Sequence, residues 1–213
     1  MTYLKLVNAV LGRLREDTVT TVDGSGDVVV ELVRDYINDA KRVVESSYNW
    51  SALSAEWQFS TAVGETSVDS TAPLGSVLDV VFDSNGNELR PLAKNEMRKR
   101  VLQGQQGGTP FYYSVNGSVG GNYQLSVWPK PDSVRTYHVY GYGHTPDLAQ
   151  DTDTLLVPSE PVIYLALANA ARERGEVGAQ SMPEMLGIAQ QYLTDAIARD
   201  ASNNINDNIW TMV

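Results

Sequence analysis

The sequence predicts an α+β fold: a four-helix bundle made from N- and C-terminal helix pairs, with an antiparallel β-domain inserted between them and an extended C-terminal tail. Three observations predict it. Apolar residues recur every three or four positions in residues 1–49 and again in 151–202, which is the helical period. In 50–150 the pattern changes to short Val-, Tyr- and Phe-containing runs broken by Gly, Pro and Asn, the mark of strands and turns. Each terminal helix pair carries an apolar stripe that needs cover, and the simplest burial brings the two pairs together.

In the first helix, Leu4, Val7, Leu11 and Leu14 fall on one side. A loop follows through Asp23-Gly24-Ser25-Gly26, and Asp27 is placed to cap a second helix whose stripe runs Val33, Ile37, Ala40, Val44 and which should end near Tyr48. Strand-like runs come next, at Glu56 to Val63 and Val77 to Phe82. After them Asn85-Gly86 signals a hairpin, because both residues tolerate the positive φ of a primed turn. A short basic helix is expected over Ala93 to Leu102, then a flexible Gly104 to Gly108. Strands follow at Phe111 to Val115, Tyr123 to Trp128 and Val134 to Tyr142. Pro129-Lys130-Pro131-Asp132-Ser133 should leave the ladder and turn.

Helix returns at Ser159-Glu160-Pro161, where proline occupies a first turn that tolerates a missing N–H. Ile163, Leu167 and Ala170 share one face, with Tyr164, Ala168 and Ala171 beside them. The helix should stop at Gly175 to Gly178, and Ser181-Met182-Pro183-Glu184 reads as a capping box. The last stripe, Met185, Ile188, Tyr192 and Ala196, carries a helix to about Ser202. An irregular arm, 203–213, follows.

The absence of cysteine rules out disulfides, thiolate nucleophiles and cysteine metal ligands. The opening Met1-Thr2-Tyr3-Leu4-Lys5-Leu6 lacks a signal-peptide arrangement, and no apolar run approaches the about 20 residues that span a bilayer. The expectation is a soluble, unexported chain that contacts no membrane. A net charge of −10 repels duplex DNA, so the purified chain should not retard it. Acidity fits solubility, and it fits equally a channel through which DNA slides without sticking.

The chain offers little chemistry. His138 and His144 form no spaced pair, and neither Gly104–Gly108 nor Gly117–Gly121 leads into Gly-Lys-Ser/Thr, so both read as flexible loops. Asp147, Asp151 and Asp153 lack the glycine and closing glutamate of a calcium loop. Asp79 and Glu88, flanking the Asn85-Gly86 turn, are the nearest local candidates for a glycosidase pair, with cross-strand surface charge the plainer reading. No cofactor and no metal are implied. Tyr112, Tyr113, Tyr123 and Trp128 suit either packing within the β-domain or stacking on sugars, which keeps a glycan-binding or glycan-hydrolysing tail component as the alternative function. The basic set Arg90, Lys94, Arg98, Lys99 and Arg100 stands out in an acidic chain. If helical, it is either a solvated face or a cationic surface that meets an acidic face of the next subunit.

Three phrases carry a family resemblance: Thr2-Tyr3-Leu4-Lys5-Leu6-Val7-Asn8, Ile37 to Glu45 with Tyr48-Asn49-Trp50, and Leu125-Ser126-Val127-Trp128-Pro129-Lys130-Pro131-Asp132. In these the chain resembles the head-to-tail adaptor (connector) proteins of tailed bacteriophages over nearly its whole length. The resemblance implies a non-enzymatic structural virion protein at the capsid vertex, made in the host cytoplasm. It implies a ring, usually of twelve copies, between the portal protein and a downstream tail or nozzle protein, with genomic DNA passing through the lumen. It also implies a chain that is mainly monomeric until it meets the portal, and a C-terminal segment that grips the portal. Ile205, Ile209, Trp210, Met212 and Val213 would then be the docking residues; folding back onto their own domain is the other reading of so apolar an end.

Overall fold

Residues 1–22, 26–104, 107–173 and 181–203 are described by a computed structural model. They form helices α1 (Tyr3–Arg13), α2 (Val28–Ser47), α3 (Lys94–Leu102), α4 (Ser159–Glu173) and α5 (Ser181–Asn203). The strands are β1 (Ser54–Ser60), β2 (Ser67–Pro73), β3 (Val77–Asp83), β4 (Glu88–Pro91), β5 (Gly107–Gly108), β6 (Tyr112–Val119), β7 (Asn122–Trp128), β8 (Lys130–Pro131) and β9 (Thr136–Tyr142). Two compact units result. One is helical and joins the residues up to Leu53 to those from His144 onward; the other is Ser54–Gly143.

In the helical unit, α2 forms as its sequence dictates. The Asp27 carboxylate accepts the Val29 N–H at 2.8 Å, and Val33, Ile37, Ala40 and Val44 are all buried. The α1 face is rotated from expectation: Tyr3, Leu6, Val7, Val10 and Leu11 are buried, while Leu4 and Leu14 are half-buried. Eight apolar residues in the twelve positions 3–14 allow more than one stripe, and packing selects the one that includes Tyr3. The four helices are not a simple four-helix bundle. α4 is the hub, packed against α1, α2 and α5, and its alanines Ala166, Ala168, Ala170 and Ala171 are all buried because small side chains let three neighbours approach. α5 leans mainly on α4. Met185, Ile188 and Ala196 are half-buried and Ala189 is fully buried, but Tyr192 turns outward and stacks on Tyr164 with centroids 5.4 Å apart. Residues 204–213, 174–180 and the side chain of Ser181 lie outside the described residues, so the arm, the Gly175–Gly178 stop and the capping-box contacts do too.

The β-unit is a closed barrel, ordered β1-β2-β7-β6-β4-β3-β9 and back to β1. It departs from an all-antiparallel sheet at one seam, where β4 and β6 run parallel. The reason is α3: it carries the chain from the end of β4 across to β6, and parallel neighbours require such a crossover. Phe59, Val68, Val81, Leu89, Leu125, Val127 and Val139 fill the interior, with Phe59 stacked on Tyr137 at 5.0 Å.

β2 escapes sequence reading because, of its buried positions Val68, Ser70 and Ala72, only Val68 has strand propensity. Ser70 belongs inside because its hydroxyl donates to the Tyr123 carbonyl at 2.8 Å. The primed turn also lies elsewhere than expected. At the β3–β4 hairpin only Gly86 has positive φ, at 82°, and Asp83 braces the turn by accepting from the backbone N–H groups of Asn85 and Asn87. Gly120-Gly121, expected as flexible loop, is instead the two-residue β6–β7 turn with φ of 58° and 85°. Lys130–Pro131 does not leave the ladder altogether; it pairs parallel with Gly107–Gly108, and the Pro131 carbonyl accepts from the Gly64 N–H at 3.0 Å.

Candidate functional site

One face of α2, through Asn38, Lys41 and Glu45, binds the segment that follows the barrel. The Asn38 side chain donates to the Leu148 carbonyl (3.1 Å) and accepts the Leu148 N–H (2.9 Å), imitating a strand partner. One turn on, the Lys41 ammonium donates to the Thr145 carbonyl (2.8 Å) and pairs with Glu45 (3.2 Å). Glu45 in turn accepts from the Thr145 hydroxyl (2.5 Å) and lies 3.5 Å from His144 Nδ1. Lys41 and Glu45 are buried, so their charges persist only because each finds partners. Arg42, on the surface, pairs with Asp147 and with Asp39. At the helix end the Trp50 indole N–H donates to the Val44 carbonyl at 2.7 Å, closing a C-terminus that lacks a glycine cap.

The chain's beginning is fastened in the same manner. Asn8 exchanges two hydrogen bonds with the Val19 backbone, and the Tyr3 N–H donates to the Asp153 carbonyl. Two of the phrases that carry the sequence resemblance, Thr2–Asn8 and Ile37–Glu45, are therefore fasteners of the helical unit. The clue to this in the sequence is a Lys-Glu pair at 41 and 45, four apart and beside the stripe positions Ala40 and Val44. It reads as a surface pair until the burial of both is seen.

The three loop aspartates are each engaged by groups of the protein itself. Asp147 pairs with Arg42, Asp151 accepts the Val22 N–H, and Asp153 accepts the N–H groups of Gln150 and Ala149, which hold its carboxyl below the usual range. Among the described residues there is no group of His, Asp and Glu able to hold a metal ion, and no helix long and apolar enough to cross a membrane. His138 bonds Glu56 at 2.7 Å on the barrel surface. Asp79 and Glu88 are not cross-strand partners: Glu88 pairs with Phe82, while Asp79 sits at the β3 irregularity. Burial first, and then these two carboxylates, push the Tyr113 hydroxyl's pKa up.

The aromatic set divides. Tyr113 is in the barrel core, and Tyr123 is tied down through its hydroxyl to the Ser76 carbonyl. Tyr112 and Trp128 lie outside with Phe111, but their rings already carry the Arg100 guanidinium, 4.7 and 4.8 Å from the two centroids. A sugar would have to displace that cation.

The basic set is split too. Arg90 lies on β4, and Lys94, Arg98, Lys99 and Arg100 lie on α3. Lys99 pairs with Glu96 at 2.8 Å, and Lys94 donates to the Asn116 carbonyl. Arg90 and Arg98 make no ion pair among the described residues. Lys94 and Arg98 flank a groove of about 350 Å³ whose apolar part is Met97, Val101 and Leu102. Ile205, Ile209, Trp210, Met212 and Val213 lie outside the described residues.

A cavity of about 720 Å³ in the helical unit lies between Trp50, the start of α4 and the last turns of α5. Asp200 on its wall accepts from the Ser51 N–H and hydroxyl, which holds the α5 end to the residues after α2. On the same wall the Ser159 hydroxyl donates to the Glu160 carboxylate at 3.2 Å. Compared with known families, the chain matches the model described as SU10 adaptor protein over residues 1–208. No curated protein matches it.

Proposed function

We propose, from the premise that this chain belongs to the SU10 adaptor protein family, that its copies form a ring seated on the phage portal and continue the DNA channel toward the tail. The family assignment makes the chain a structural virion protein that links portal and tail, and not an enzyme. The single observation that carries this reading is the extent of the match: residues 1–208 take in both the helical unit and the barrel. Nothing in the match or in the aromatic face, already covered by Arg100, favours the glycan-binding or glycan-hydrolysing alternative.

The ring, its twelve copies and the contacts with the portal and with a tail or nozzle protein are supported by this family membership. The negative charge of the chain supports a lumen that does not hold DNA. The arm residues Ile205, Ile209, Trp210, Met212 and Val213 are the proposed portal contacts, and the basic set on β4 and α3 the proposed contact between subunits. Pull-down on purified portal rings tests the first of these. Deleting 203–213 should leave a folded chain that no longer binds the rings, and Trp210→Ala should weaken binding measurably. Wild-type occupancy by the truncated chain would remove the arm from the reading.

A further inference from the structure

The two units differ in charge as well as fold. Seven of the chain's sixteen basic residues and eight of its twenty-six acidic residues fall in Ser54–Gly143, leaving that unit at −1 and the remainder at −9. A basic face on the near-neutral unit and an acidic face on the other are two different surfaces of one molecule. Contacts between two different surfaces are head-to-tail and build rings or filaments, whereas a self-complementary patch builds dimers.

The outer face of α2 carries Asp35, Asp39 and Val43 at intervals of four, all exposed, with Glu31 a further turn before them. The outer face of α3 carries Lys94, Arg98 and Leu102 at the same intervals, and Leu102 is 86% exposed. Each set spans eight residue steps, about 12 Å of helix. Laid parallel, the two stripes match acid to base, acid to base and apolar to apolar. Arg98, Asp35 and Glu31 make no ion pair among the described residues; Asp39 already pairs with Arg42 and Lys94 with the Asn116 carbonyl, but these side chains are exposed and have room for a second partner from outside.

We propose that the α3 groove of one copy receives the α2 face of a second copy, with Lys94 against Asp35, Arg98 against Asp39 and Leu102 against Val43. This rests on the ring reading above and specifies which faces close it. The exposed ion pairs set register and orientation, while Val43 and Leu102 exclude water at one end.

Charge reversal tests the pairing. One variant carries Lys94→Glu and Arg98→Glu, another Asp35→Lys and Asp39→Lys. Each is mixed with purified portal rings, and the copies bound per ring are counted by native mass spectrometry, with the melting temperature of each variant checked against wild type. Each variant alone should fill rings at least tenfold less well than wild type. An equimolar mixture should recover wild-type filling, because alternating copies restore opposite charges at every contact. Filling by either variant alone, or no recovery in the mixture, overturns the pairing; the latter would assign these residues to the portal. Failure of wild type to fill the rings overturns the ring reading, and the pairing with it.

A second measurement does not depend on the reversed variants folding. The chain has no native cysteine, so Val43→Cys and Leu102→Cys placed together should, on oxidation of assembled copies, give a ladder of covalent oligomers. Each single variant should stay monomeric. Dimers from one of the singles, or no ladder from the pair, would contradict a head-to-tail contact.

Discussion

The helical unit and the barrel hold themselves together by different means. In the helical unit, side chains far apart in sequence fasten backbone to backbone: Asn38 holds Leu148, Lys41 and Glu45 hold Thr145, and Asn8 holds Val19. In the barrel the backbone ladders do most of this work, with buried Ser70 and Thr61 adding side-chain bonds to distant backbone, and the other side chains that matter are turn formers such as Asp83 and the residues of a small interior. The lesson is that one removed polar side chain should be costly in the first unit and mild in the second, whereas a removed methyl group should be felt in both.

The largest effect is expected at the buried pair. Glu45→Ala leaves the Lys41 ammonium buried without its counter-charge, at a cost of about 3–5 kcal/mol in denaturant unfolding. The paired change Lys41→Met with Glu45→Leu should be far milder, since no charge is left stranded. Equal losses from the two would mean that the pair is not isolated from water.

Leu125→Ala should cost about 2–5 kcal/mol, because Leu125 is fully buried in the barrel interior. Asn38→Ala should cost about 1–3 kcal/mol by leaving the Leu148 N–H and carbonyl without their partner. A near-zero result for Asn38→Ala alongside a full cost for Leu125→Ala would break the contrast between the units.

The smallest effect is a pH dependence. Burial pushes the Asp83 carboxyl up, but hydrogen bonds from Asn87 and Asn85 outweigh it and hold the pKa below the ordinary value. Asp153 and Asp132 are lowered as well, the first by the Gln150 and Ala149 N–H groups and the second by Ser133 and Arg135. A depressed folded pKa gives stability that is present above the unfolded value of about 3.9 and lost as the pH falls through the folded value. Melting temperature should therefore fall as the pH drops below about 4, and Asp83→Asn should flatten part of that slope. An unchanged slope would show that the Asp83 turn contacts do not bias its titration.

The two units were also unequally legible in the sequence. α2, with its Asp27 cap and its Val33–Val44 stripe, could be read directly because cap chemistry and period agree. The strands with Tyr, Val and Trp could be read for the same reason. β2 could not, since Ser70 and Ala72 are interior for reasons of space and hydrogen bonding that only the folded neighbours supply. The parallel β4–β6 seam was implicit in the α3 helix between two strands, but antiparallel patterning elsewhere hid it. Of the site, the basic residues were visible as a run. The stacking of Arg100 on Tyr112 and Trp128, and the burial of Lys41 with Glu45, depend on contacts between residues 12 to 104 positions apart or on cover by the fold.

The most direct test of the central claim, that this chain is a structural link between portal and tail, is electron cryomicroscopy of virions beside particles made without this chain. The account predicts a ring of density below the portal in intact virions, into which the helical unit and the barrel fit as separate bodies, and heads that carry portal but no tail when the chain is missing. Tailed, infectious particles assembled without it, or density for it anywhere other than between portal and tail, would contradict the account.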